Sequence, residues 1–246
     1  MKMKLNFKKI FSVSLVILLG PLAFQLFAAD AFTQQEIKSS PYLQSVLKRK
    51  GQKYDTTKFR KAGPYRIALA AQGTSNSWSA LFDEHAYWYT EELGKGVISE
   101  LLYADAQASA DKQVPQVEDL LAQEPDALIL VPMGAAALTA PVERAMAQGV
   151  PVVLCASAVE TDNFVTEVGT NLYASGAGLA KYLTEKLNGK GRVLMMTGIP
   201  GTSTSDVMEA GGKATFKKYS GIDLVDEQPG NWSTAEAKRI METWLV

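Results

Sequence analysis

The chain has 246 residues, 47% apolar and 21% charged, the balance of a polypeptide that folds around a core. Its 25 basic and 26 acidic residues leave a net charge of −1, so nucleic-acid binding has no electrostatic support. A lone cysteine, Cys155, excludes an intrachain disulfide, and with a single histidine, His85, the usual zinc ligands are missing and no cofactor is expected.

Four lysines, Lys2, Lys4, Lys8 and Lys9, precede the apolar run Ile10–Phe27, and the small residues Ala28, Ala29 and Ala31 follow it. A positive start, an apolar centre and an A-x-A-like exit predict a secretory signal peptide over residues 1–29 that a peptidase removes. The alternative is an uncleaved anchor. Against it, the run spans 18 residues, the short end of what a bilayer needs, and Ser12, Ser14, Gly20, Pro21 and Gln25 interrupt it. Cleavage removes four bases and no acids, which leaves 25 − 4 = 21 bases against 26 acids, a net −5. Residues 30–64 are polar and irregular with a helix-like stretch at Pro41–Lys50, and read as an N-terminal extension.

From Tyr65 onwards one pattern repeats. YRIALAA at Tyr65–Ala71 is a buried strand, and Ser77–Leu93 a helix with Trp78, Leu81, Phe82, His85, Tyr89 and Leu93 on one face. Ile98–Ala104 is a second strand. Ser109 caps a helix to about Gln123, in which Pro115 marks the first turn or a kink. Ala127–Val131 is a strand, Leu138–Gln148 a helix closed by Gly149, and Pro151–Cys155 a strand. No helix is evident between Ala156 and Asn171. Val165–Thr170 then leads into a helix at Tyr173–Leu187, a strand at Arg192–Thr197, a helix at Ser205–Tyr219, a strand at Asp223–Glu227 and a helix at Thr234–Leu245. Such alternation predicts an α/β fold of parallel sheet with helices on both faces, in two Rossmann-like lobes. The stalled pattern places the division there: 65–165 as the N-terminal lobe and 166–246 as a partial C-terminal lobe. An exported domain has little access to ATP or reduced nicotinamide, so binding is expected rather than catalysis.

IALAAQGTSNSWSALF (Ile67–Phe82), ADAQASADKQVPQVEDLLAQEPDALILVP (Ala104–Pro132), GVPVVLC (Gly149–Cys155), VGTNLYASGAGLAKYL (Val168–Leu183) and MTGIPGTSTSD (Met196–Asp206) share one order and spacing. In these stretches Tyr65–Val246 resembles the type I periplasmic sugar-binding proteins, the ribose- and galactose-binding-like receptors of ABC importers. The resemblance implies two hinged lobes that close on one small ligand and deliver it to a membrane permease, and a periplasmic, monomeric protein. Family members continue beyond Val246 to complete the second lobe, so the resemblance also implies a truncated C-terminus.

Parallel sheets place binding sites at the carboxyl ends of their strands. After the first strand, Gln72, Ser75, Asn76 and Trp78 offer amide, hydroxyl and indole groups without charge. The resemblance assigns Asn76 and Trp78 to ligand; the plain alternative has Ser75 or Ser77 capping the helix and Trp78 in the core. Trp232, after the Asp223–Glu227 strand, matches an aromatic contact from the opposite lobe, or else sits beside an Asn231 or Ser233 cap. Asp105 matches an acidic residue at the cleft edge and either contacts ligand, braces its loop or caps the next helix. Pro132 and Met133 line a floor or simply end a strand. Ala156 and Ser157 stand where pentose and hexose receptors carry an Asp–Arg pair, and the arginine expected near Met208–Gly212 is absent, so specificity for ribose or galactose does not carry over. A larger, less hydroxylated or cationic ligand is expected, with Ser157 adjusting specificity.

Cys155 reads as a small apolar residue and His85 as a packed or solvated side chain rather than a base. No nucleophile stands with a base, which argues against a hydrolase, and GIPG at Gly198–Gly201 lacks the lysine of a phosphate loop. Two readings remain: an importer's sugar- or polyol-binding protein, or a receptor presenting a signal molecule to a membrane sensor kinase or chemoreceptor.

Overall fold

A computed structural model describes residues 53–246; the expected signal peptide and the helix-like stretch at Pro41–Lys50 lie outside them. The apolar run Tyr65–Ala71 forms β1, and Ala68 to Ala71 are sealed from solvent by parallel neighbours on both sides. These are β2 (Ile98–Asp105) and β3 (Ala127–Leu130); β4 (Val152–Cys155) and β5 (Thr166–Val168) extend the sheet in the order β2-β1-β3-β4-β5. All four pairings are parallel. Helices α1 (Ser77–Trp88), α2 (Ala110–Leu121) and α3 (Ala135–Ala147) connect the first four strands. A core of Leu102, Val117, Leu128, Leu130, Leu138 and Leu154, with their neighbours, fills this half.

Three local features differ from the expectations. The first helix is α-helical only to Trp88 and closes through a π turn, Tyr89–Leu93, where the Gly94 amide donates to Tyr89 O. Its apolar stripe faces outward: Trp78, Leu81, Tyr89 and Leu93 are exposed, while Ser79 and Asp83 are buried. The inward face is held by a polar bond, Tyr103 Oη donating to Asp83 at 2.7 Å, which the spacing of apolar residues cannot reveal. Pro115 lies in the second turn of α2, which stays helical through it. β5 pairs with β4 directly, Val153 opposite Thr166 and Cys155 opposite Val168, so the first sheet runs to Val168 with no helix before its last strand.

The remaining residues form α4 (Leu172–Lys186), β6 (Lys190–Thr197), α5 (Ser203–Phe216), β7 (Gly221–Pro229) and α6 (Thr234–Trp244). Each helix starts on a side-chain cap: Asn171, Thr202 and Ser233 accept from the amides of Ala174, Ser205 and Glu236. β6 and β7 make a separate two-stranded parallel sheet over a small core of Ala180, Val193 and Phe216. Helices α4 and α5 approach so closely that a Cβ on Gly176 would stand 1.9 Å from Met208 O, and one on Gly211 2.2 Å from Tyr173 O.

Candidate functional site

In the first sheet β1 lies between β2 and β3, so the connections leaving the carboxyl ends of β1 and β3 diverge and open a crevice. Gln72 and Asn76 come from the first of these connections. Asn76 caps α1, its Oδ1 accepting from the Ser79 amide at 3.1 Å, and the Ser79 hydroxyl faces the Asn76 amide in return. The Asn76 acceptor is therefore committed to the helix, and its Nδ2 reaches only Ser75 Oγ, at 3.5 Å. Trp78, in the first turn, is 49% exposed and stacked on Phe82 with ring centroids 5.5 Å apart.

Pro132 and Met133 leave β3. The fully buried Gln113 amide of α2 ties this end together: Nε2 donates to Val131 O at 2.9 Å and lies 3.3 Å from Ala70 O and Ala71 O, while Oε1 accepts from the Met133 amide at 2.7 Å. After β4 the chain turns through Ala156 in the left-handed region (φ 60°). Ser157 follows, buried, with Oγ 2.9 Å from Ser203 Oγ at the start of α5.

Three more bonds join these halves. Ala158 N donates to Ser203 Oγ, Thr204 Oγ1 donates to Ala156 O, and Ala135 N donates to Gly201 O. The last supplies the acceptor for the first turn of α3, whose N-cap Gly134 has no side chain to do so. That explains why α3 starts at Ala135, three residues before the Leu138 that its sequence predicts.

From the second sheet come Met196 and Thr197 at the end of β6, Ile199, Met208 of α5, and Trp232 after β7. Asn231 and Trp232 are both left-handed (φ 53°), which turns the indole back over the end of β6. There it lies on Gly198: a Cβ at that position would stand 2.2 Å from Trp232 Cε2, so only glycine fits beneath it. Together the two sheets enclose a cleft of about 780 Å³.

Six of the eight expected side chains, Gln72, Asn76, Trp78, Met133, Ser157 and Trp232, border this cleft; Trp78 comes from the first sheet's side and Trp232 from the second's. Ser75 and Asp105 do not. Ser75 is exposed on the loop, and Asp105 Oδ1 accepts from the Gln107 amide at 2.6 Å, against the backbone of Gly73, which corresponds to the loop-bracing role. His85 is exposed on α1 outside the cleft. Cys155 borders it, and burial pushes its thiol pKa up, so it is a poor nucleophile. Among the described residues no His, Cys, Asp and Glu cluster could hold a metal ion, and no charged side chain lines the cleft. Phe82, Thr197 and Met208 line it without having been singled out from the sequence; Thr197 ends a strand and the strand-end rule reaches it, whereas Phe82 and Met208 are placed by tertiary packing.

Residues 67–246 match the model of the periplasmic binding protein domain. The chain belongs to that family. Among curated relatives, it is 30% identical over 146 residues to the xylitol-binding protein of Mycolicibacterium smegmatis, covering 59% of this chain and 42% of that one. It is 30% identical over 145 residues to the ribose import binding protein of Bacillus subtilis, covering 59% and 47%. The chain thus spans about half the length of these relatives. Among solved structures, an ABC transporter solute-binding protein from Thermobispora bispora superposes with a TM-score of 0.67 at 27% identity, over 74% of this chain and 57% of that one. The fructose-binding periplasmic domain of a hybrid two-component system gives 0.67 at 25%, over 74% and 59%. The family is one of binding proteins, and the two-lobed α/β architecture is that of its type I members.

Proposed function

We propose that this protein is a periplasmic solute-binding protein, exported by a cleaved signal peptide over residues 1–29, that captures a small carbohydrate-like ligand between two lobes and delivers it to an ABC importer. In this reading residues 30–64 are an N-terminal extension, the first lobe runs from 65 through β5 to Val168 rather than ending at 165, the rest of the chain contributes to the second lobe, and the protein acts as a monomer without catalysis or cofactor. The observation that carries the proposal is the cleft itself: both sheets line it, and each contributes a tryptophan, Trp78 and Trp232. Indole faces pack against the C–H faces of sugar rings, while Gln72 and the Asn76 Nδ2 supply hydrogen bonds for orientation. The relatives named for xylitol and ribose support a polyol or sugar as the guest.

A second reading, presentation of the ligand to a membrane sensor kinase, is favoured by the similarity to the periplasmic domain of a two-component system. The two readings share the same cleft and differ in the docking partner.

Thermal-shift screening of the full-length protein against sugars and polyols tests the shared step, because a ligand that binds the folded state raises Tm by mass action. Trp78→Ala and Asn76→Ala should each weaken the best hit at least tenfold, about 1.4 kcal/mol, by calorimetry. Normal binding by both variants would place the site elsewhere.

A further inference from the structure

Trp232 rests on a seat that is held from two sides. Beneath the indole lies Gly198, buried, where a Cβ would stand 2.2 Å from Cε2, 2.3 Å from Cζ2 and 2.6 Å from Nε1 of the ring. The Gly198 amide donates to Ser205 Oγ at 3.0 Å, and Thr197 O, one residue before, accepts from the Gly230 amide at 2.9 Å. Ser205 is itself buried in α5, its own amide donating to Thr202 Oγ1. On the other side the Ser233 amide donates to Gly230 O and the Ser233 hydroxyl caps α6, which closes the turn that carries the indole. Within this turn Asn231 and Trp232 are both left-handed. Non-glycine residues keep that conformation only where their surroundings over-determine it, and such residues cluster where ligands are clamped.

Gly198 is not itself left-handed, so its backbone allows an alanine, and the three nearest atoms that a new methyl group would meet all belong to the ring. We infer that Gly198 is a positioning residue for the ligand: with no side chain of its own, it lets the indole settle onto the main chain at the end of β6 and so fixes where Trp232 stands in the cleft. The inference rests on Trp232 meeting the ligand, as in the proposed function, and adds the residue that sets its position. Gly198 does not border the cleft, so its effect passes through the ring. Carbon atoms pack at about 3.5 Å or more, against the 2.2 Å found here, so a methyl group at 198 displaces the ring edge by about 1.3 Å. Binding groups have to be held within about 0.5 Å of their working geometry, and a displacement of this size exceeds that.

A double-mutant cycle on the full-length protein tests it, read by calorimetry with xylitol, D-ribose, D-fructose and any hit of the thermal-shift screen. Trp232→Ala should weaken the best-binding probe at least tenfold, and so should Gly198→Ala. In the Trp232→Ala background the further change on Gly198→Ala should stay within about twofold, and any fall in the urea midpoint that Gly198→Ala causes alone should vanish there. A glycine that served only the fold would weaken binding equally in both backgrounds. Should Gly198→Ala alone not fold, the double variant decides: recovery of folding supports the seat, and failure to recover overturns it. Parent-like binding by either single variant, or equal losses in both backgrounds, would overturn this inference and leave the proposed function standing. Binding of no probe by the parent, together with an empty thermal-shift screen, would overturn both.

Discussion

Gln113 offers a sharp test of how the floor of the cleft is built. Its side chain is fully buried, and Val131 and Met133, which it bonds, are nearly so. Gln113→Met keeps the length and approximate volume of the side chain, so the cavity contribution is small. The Met133 amide, 2.7 Å from Gln113 Oε1, loses its acceptor, and Val131 O loses its 2.9 Å donor. Ala70 O and Ala71 O keep other partners, the amides of Val131 and Ala106, both at 3.1 Å. An orphaned buried donor costs about 1–3 kcal/mol and the second bond about 1 kcal/mol, for a loss of about 2–4 kcal/mol in total. With a urea slope of about 2–3 kcal/mol/M, the midpoint followed by circular dichroism should fall by about 1 M at unchanged slope. A Gln113→Met protein that unfolds within about 0.5 kcal/mol of the parent would refute the view that this amide ties β1 to β3.

Gly211→Ala should lower stability despite the better helix former. Propensity favours alanine by about 1 kcal/mol. The new Cβ would meet the backbone carbonyl of Tyr173 at 2.2 Å, which cannot swing aside, and overpacking of about 1–3 kcal/mol should outweigh that gain in a Tm comparison. Asp83 predicts a pH dependence of definite sign. Burial pushes its pKa up, opposed by the hydrogen bond from Tyr103, while Asp105 and Glu84 add repulsion in the same direction as burial. The folded state therefore holds the proton more tightly than the unfolded one. That stabilisation is complete below the unfolded pKa, about 3.9, and is lost as pH rises through the folded value. Asp83→Asn, which still accepts from Tyr103, should flatten this part of the urea-stability profile; an unchanged slope there would remove Asp83 from the account.

The central strands β1, β3 and β4 were legible because each is a short apolar run bounded by turn residues, and β1 is found where YRIALAA stands. Helix starts were legible where a cap is written locally, as at Ser109. They were not where the acceptor comes from far along the chain: α3 begins on Gly201 O, which no residue near Gly134 announces. The outward stripe of α1 failed for a related reason, since its inward face is set by the Asp83–Tyr103 bond and not by apolar spacing. At the cleft, the strand-end rule reaches Gln72, Met133 and Ser157, and the turn after β7 reaches Trp232. It does not show that the Ser157 hydroxyl is taken up by Ser203, a pairing across 46 residues that leaves no local trace.

That pairing bears on how a bound guest would act. Hydrogen bonds join the segment Gly201–Thr204, at the start of α5, to Ala135 and to Ala156–Ala158 on the side of the first sheet. The second sheet is thus held to the first at the floor of the cleft, while Trp78 and Trp232 reach it from separate elements. A ligand shifts a conformational equilibrium only by as much as its contacts differ between states. If the sheets pivot about Ala156 and Ser157, contacts with these floor residues differ little between the states. Contact with both indoles at once differs most, since each is carried by the opposite side. Under the proposed function, contact with both indoles is therefore what would convert ligand binding into closure.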